Sequence, residues 1–212
     1  MVAFLAFFAG AGVPQAAVPA NGVLDFAIVR NGKEIGSHVY TFSAAPNGLE
    51  VDVRTRINFK FGFVSLHRFN HDSHEFWQSN RLVAMSSSTS EKNIVKGRSR
   101  HEVNVEEEDG DLNVRADKKA WQAPLSAVPA SLWNERLIET KTLIDTVDGE
   151  ELTIKVELLG DDVILVSGRQ LDARYYRISG DLERELWYDH DNVLVRVRFT
   201  ADDGSEVQYV LR

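Results

Sequence analysis

Residues able to do chemistry concentrate in one stretch, Leu66-His67-Arg68-Phe69-Asn70-His71-Asp72-Ser73-His74-Glu75-Phe76-Trp77. On a β-strand, alternate residues share a face, so His67, Phe69, His71, Ser73, Glu75 and Trp77 line up with His71 and Glu75 two pleats apart. A histidine near a carboxylate could serve as a general acid–base pair or as part of a metal site. A closed zinc site would need a third and a fourth ligand, and only His38 and His101 are spare. On a helix His67, His71 and His74 would share a face instead, but Phe69 and Trp77 at strand spacing favour the strand. No spacing here matches a known ligand signature, so the sequence assigns no metal, no cofactor and no catalytic residue. The plainer expectation is a polar row that is solvated or paired across strands.

Other chemical candidates are weaker. Asp109, Asp111, Asn113 and Asp117 fall at positions 1, 3, 5 and 9 of a calcium loop, yet Val114 stands where the loop needs glycine and Ala120 where it needs glutamate. The run Ser86-Ser87-Ser88-Thr89-Ser90 lacks the Gly-x-Ser-x-Gly setting of a nucleophile elbow. Trp77, Trp121, Trp133 and Trp187 could line a pocket or fill a core, and core filling is the default for aromatic side chains. With the phenylalanine row Phe59, Phe61 and Phe63, the residues Trp77, Trp133 and Trp187 form the candidate wall of an apolar binding site.

The elements that would position these groups are strands. Glu75-Phe76-Trp77 followed by Asn80-Arg81-Leu82-Val83, and Glu185-Leu186-Trp187 followed by Asp191-Asn192-Val193-Leu194-Val195, both read as a strand, a polar turn and a second apolar strand. From Leu49 to Phe63 the odd positions are apolar or β-branched, while Glu50, Asp52, Arg54, Arg56, Asn58 and Lys60 are polar. Period two over that length means one dry face and one wet face. Leu152 to Leu158 and Val193 to Phe199 repeat the pattern, and turn signals such as Asn31-Gly32, Asn47-Gly48 and Asp148-Gly149 punctuate it. The prediction is an all-β protein, an antiparallel meander curled into a barrel or half-barrel. Near residues 129–138 alternation fails, and Pro129 followed by Leu132, Trp133 and Leu137 predicts a short helix packed against the open mouth of the sheet.

Composition bounds the rest. A chain of 212 residues, 43% hydrophobic and 26% charged, is expected to form one domain around one core. Its net charge is −8 and its basic residues are scattered, which argues against a nucleic-acid partner. Val2 to Val13 contains no polar residue, and Ala16, Ala17 and Ala20 follow, as in a secretory signal peptide, although no Lys or Arg precedes the apolar run. That run is too short and too interrupted for a transmembrane helix. The expected organisation is a signal peptide over residues 1–20 and a β-domain over 21–212, exported to the periplasm without stable membrane insertion. With no cysteine, the fold must be held by its core alone.

Several phrases in order resemble domain-of-unknown-function family 6134: Arg30-Asn31-Gly32-Lys33-Glu34-Ile35-Gly36-Ser37-His38, the strand from His71 to Trp77, Ser131-Leu132-Trp133-Asn134, Leu143-Ile144-Asp145-Thr146, and Gly180-Asp181-Leu182 leading to Trp187-Tyr188-Asp189. The resemblance implies an exported bacterial β-protein and no assigned activity. By analogy its strand pattern looks like the curved half-barrels of periplasmic lipoprotein and lipid carriers. Three classes of function stand open. One is a carrier of an apolar or lipid-like ligand, one an envelope hydrolase or metal-dependent enzyme using His71 and Glu75, and one a structural or interaction protein without a ligand.

Overall fold

The computed structural model describes residues 17–61 and 64–212. Its N-terminal half is a run of long hairpins: β1 (Val23–Arg30), β2 (Lys33–Ala45), β3 (Gly48–Phe61), β4 (Val64–Gln78), β5 (Arg81–Asn93) and β6 (Gly97–Glu108). Four shorter strands follow, β7 (Asp111–Ala116), β8 (Lys119–Pro124), β9 (Val128–Pro129) and β10 (Thr142–Ile144). The chain ends with β11 (Glu151–Val166), β12 (Arg169–Gly180), β13 (Arg184–Tyr188), β14 (Leu194–Thr200) and β15 (Glu206–Leu211).

All fifteen strands belong to one sheet, ordered β8-β7-β6-β5-β4-β3-β2-β1-β15-β14-β13-β12-β11-β10-β9. Each neighbour is antiparallel except β9 and β10, which pair in parallel through Val128 with Leu143 and Pro129 with Ile144. The first and last strands are zipped together mid-sheet, Phe26 opposite Leu211 and Arg30 opposite Val207. The two sheet edges, β8 and β9, are therefore consecutive in the chain. The sheet curls without closing its hydrogen-bond ladder, as expected of a meander this long.

The turn at residues 145–150 crosses the open side. Trp121 Nε1 on β8 donates to the Gly149 carbonyl at 2.8 Å, Lys119 pairs with Glu150, and Ser87 Oγ donates to the Thr146 carbonyl at 2.6 Å. Gly149 sits at φ +73°, and a Cβ there would come within 2.4 Å of the Ala116 Cβ, so only glycine lets the turn lie this close to the wall.

Alternation along β3 is as the sequence predicts: Val51, Val53 and Thr55 are buried, and Asp52 and Arg54 are exposed. The side chain of Phe61 and all of Phe63 lie outside the described residues. The main core fills the barrel with Phe26, Tyr40, Leu112, Trp133, Ile178 and Leu186 among its largest members. A separate cluster of Ile164, Ala173, Trp187 and Val195 lies on the other face of the sheet.

The expected helix near 129–138 shrinks to one 3₁₀ turn, Glu135–Ile138, capped by the Asn134 side chain accepting from the Arg136 N–H at 3.0 Å. Pro129 belongs to β9 instead. Leu132 takes φ +69°, which ends any helical run, and the carbonyls of Ser131 and Leu132 accept from the hydroxyls of Tyr40 and Tyr188. The barrel's own tyrosines thus string residues 130–134 across its interior, with Leu132, Trp133 and Leu137 all buried.

Candidate functional site

Strand register places a row of alternating histidine and threonine across five neighbouring strands. His38 on β2 lies opposite Thr55 on β3, Thr55 opposite His71 on β4, His71 opposite Thr89 on β5, and Thr89 opposite His101 on β6. His38, Thr55, His71 and Thr89 are buried inside the barrel. The row is stitched pairwise, His38 Nδ1 to Thr55 Oγ1 at 2.7 Å and His71 Nδ1 to Thr89 Oγ1 at 2.9 Å. His101, at its outer end, pairs with Asp117 at 2.8 Å.

Burial dominates the electrostatics of this row. It pushes His38 down to about 3, with the nearby His71 adding to the effect. His71 is pushed down to about 4, again by burial first, with Asp72 opposing and Arg56 assisting. Both rings are neutral at neutral pH, because a buried imidazolium would lose its hydration without a counter-ion in contact.

Two pleats along β4 from His71, Glu75 is fully buried. Its Oε2 accepts hydrogen bonds from Trp77 Nε1 and Trp133 Nε1, both at 2.9 Å. Burial raises its pKa, opposed by hydrogen bonds of which that from Trp133 is the largest. Trp133 meets Trp77 and Phe42 edge-on, each with ring centroids 5.2 Å apart. Glu75 is thus the polar centre of an aromatic knot that fastens the crossing segment to the wall.

A cavity of about 310 Å³ lies on the His71 side of this knot. His38, Thr55, His71, Ser131 and Tyr209 supply polar wall, and Ile57, Phe69, Leu152 and Leu182 supply apolar wall. Asp145 and Arg184 stand at its edge. Arg184 lies over the Phe199 ring at 3.9 Å and donates to the Glu183 carbonyl at 2.7 Å, and no carboxylate comes within 4.0 Å of it among the described residues. Burial lowers the Arg184 pKa, opposed by Tyr209 and Asp145. The same physics raises Asp145, whose carboxylate accepts from the Val147 N–H at 2.6 Å. His38 Nε2 is buried without a hydrogen-bond partner among the described residues. A larger hollow of about 640 Å³ lies along the outer wall by Asp52, Asp72 and His74, but its charged groups already pair, Arg54 with Asp72 at 3.4 Å and His74 with Asp52 at 2.9 Å.

The residues singled out from the sequence separate. His71 and Glu75 share the inner face of β4 as predicted, but no hydrogen bond joins them, since His71 faces the cavity and Glu75 the tryptophan knot. Trp77 and Trp133 come together around Glu75 as core. Trp187 lies on the outer face, stacked on Tyr175 at 4.5 Å and donating to Asp162 at 2.9 Å. Phe59 sits at the rim under the Arg30 guanidinium, 4.6 Å away. No group of three or more His, Cys, Asp or Glu placed to hold a metal occurs among the described residues. Sequence reasoning missed Arg184, Tyr209 and the pairing of His38 with Thr55. For His38 and Arg184 a signal existed, because each lies on the same strand face as large core residues, Tyr40 and Phe42 or Leu186 and Tyr188.

Together these features define a barrel-like β-meander, crossed on one side by a turn, with a small cavity of mixed polarity beneath it. Residues 26–212 match the model of DUF6134, a domain of unknown function, and the chain belongs to that family. Its fold is similar to the crystal structure of a β-barrel-like protein of the domain of unknown function DUF1849 from Brucella abortus, with a TM-score of 0.64 at 11% identity over 90% of this chain and 94% of that one. No curated protein matches the chain.

Proposed function

We propose that this protein is a non-catalytic binding protein of the cell envelope, holding a small amphipathic molecule in the cavity with its acidic group toward Arg184. One observation carries this reading: the cavity wall has unspent polar capacity, in the partnerless His38 Nε2 and in a guanidinium without a carboxylate in contact. Buried polar groups normally find partners, and a bound ligand would supply them. The apolar side, Ile57, Phe69, Leu152 and Leu182, suits a short hydrocarbon tail. At about 310 Å³ the volume suits a lipid fragment or medium-chain acid better than a whole phospholipid. A hydrolytic role for His71 and Glu75 has no comparable support, since nothing joins the two groups.

Calorimetric titration tests the reading with decanoate and decanol. Decanoate is expected to bind at least about tenfold more tightly, the worth of one hydrogen bond to a charged group. Arg184→Gln should erase that difference, and Ala130→Phe, which puts a ring into the cavity that Ala130 lines, should abolish binding of both. Equal affinity for acid and alcohol, or no binding of either, overturns it.

Export belongs to the same proposal. It is supported by the apolar run from Val2 to Val13 and by the small residues Ala16, Ala17 and Ala20 that follow it. N-terminal sequencing of protein from the periplasm of its host is expected to begin between Ala17 and Gly22. Recovery from the cytoplasm with Met1 intact would sink this part.

A further inference from the structure

We propose that the β5–β6 hairpin is a docking element for an anionic lipid surface. Its tip displays Ile94 and Val95, 62% and 88% exposed, more open than any core packing explains. The display is held in place. The Asn93 side chain accepts from the N–H groups of Val95 and Lys96 at 2.8 and 3.2 Å, and Ile94 N–H donates to the Leu66 carbonyl at 3.0 Å.

Directly behind the tip, strand register sets three cations in one row on the outer face, Arg68 opposite Lys92 and Lys92 opposite Arg98. All three are exposed, and none has a carboxylate within 4.0 Å among the described residues. The neighbouring Lys96 and Arg100 are already engaged by Asp202 and Glu102. Like charges facing each other across strands destabilise a sheet, and exposed apolar side chains favour aggregation, so both features cost the isolated molecule. Against an anionic bilayer both costs are relieved: the cations meet lipid phosphates, and the isoleucine and valine enter the interfacial layer.

Charge complementarity selects this partner and this orientation. The protein carries a net charge of −8, so most of its surface is repelled by anionic lipid, and the unneutralised row is where attraction concentrates. The tip stands at the end of the barrel that bears the β14–β15 turn, which it reaches through the Lys96–Asp202 pair at 3.7 Å, and His67 at the cavity rim lies on the strand beside it. Docking would turn the cavity's rim toward the membrane, but the docking itself requires no cavity ligand.

Vesicle flotation of the full chain tests it, with vesicles of equal phosphatidylglycerol and phosphatidylcholine against phosphatidylcholine alone. The chain starting at Ala17 is run alongside to separate any retention caused by the apolar N-terminal run. Retention is expected on the anionic vesicles only, and release is expected as salt rises. Lys92→Glu/Arg98→Glu should weaken binding at least about 25-fold, at about fivefold for each cation lost. Ile94→Asp/Val95→Asp should weaken it about tenfold or more. Lys155→Glu, a charge change on the exposed side of β11, should leave binding within about twofold, and the circular dichroism of all variants should match the parent. Equal retention on neutral vesicles, no retention on either, or an effect of Lys155→Glu as large as that of the double reversal would overturn the proposal. So would parent-like binding by Lys92→Glu/Arg98→Glu.

Discussion

Trp133→Ala is expected to remove about 4 kcal/mol or more of unfolding free energy, against a total of roughly 5 to 15 for a domain of this kind. Trp133 is 1% exposed and touches Trp77 and Phe42 edge-on, so truncation opens a cavity at the centre of the core. It also takes away one of the indole donors that Glu75 relies on. Trp133→Phe separates the two losses. It keeps most of the apolar volume and deletes only the N–H, for an expected cost of about 1 to 3 kcal/mol. Urea melts of the three proteins measure both steps. A loss below about 1 kcal/mol for the alanine variant would mean that residues 130–134 do not tie the barrel together.

Acid should unfold the protein from within. His38 and His71 take up protons only near pH 3 and 4 in the fold, whereas their unfolded-state value is 6.5. Between those limits the unfolded chain binds more protons, so stability is complete above pH 6.5 and drains away as pH falls toward 4. At about 1.4 kcal/mol per unit of separation, the two histidines together account for a loss on the order of 6 kcal/mol by pH 4. Glu75 works in the opposite direction. Its raised pKa means that the folded state gains protons first, so this group adds stability as pH falls from its raised value toward the ordinary 4.5. The two histidines therefore destabilise the fold on acidification while Glu75 opposes them, and the variants separate the two contributions. Unfolding free energies from urea melts at pH 7, 6, 5 and 4 should show that slope flattened in His38→Gln/His71→Gln and steepened in Glu75→Gln. An unchanged slope in the double variant would show that these rings are not the groups that resist protonation.

Much of the architecture is legible in the residues themselves. The segregated faces of Leu49 to Phe59 and the repeated tryptophan hairpins are local patterns of period two, and the strands follow them. Which face turns inward is another matter, as Trp187 shows. It sits between Leu186 and Tyr188, both core, and alternation puts it on the opposite face, but three adjacent large apolar residues give no polar partner to mark which of the two faces is the inner one, and the bulge opposite, at Val195 on β14, blurs the neighbouring strand's pattern as well. Pro129 is harder still, because a two-residue parallel pairing leaves no periodic trace. The cavity is illegible for a different reason. Its wall draws on β2, β3, β4, β11, β13, β15, the crossing segment and the 145–150 turn, brought together by curvature that no single segment encodes.

The pairing of β1 with β15 sets a timetable for the chain as it emerges from the ribosome. One edge of the earliest strand stays bare until the final residues, Glu206–Leu211, arrive to cover it, so no N-terminal fragment can finish its sheet and an interrupted chain exposes a sticky margin. The loop at residues 125–127 has the opposite character, since the strands on either side of it share no ladder. The first and last strands thus meet at a seam inside the sheet, and the topological gap falls mid-sequence. New termini introduced at that loop would put every strand next to its sheet neighbour in the chain, antiparallel throughout except for the parallel β9–β10 pair, with fewer long-range closures to wait for.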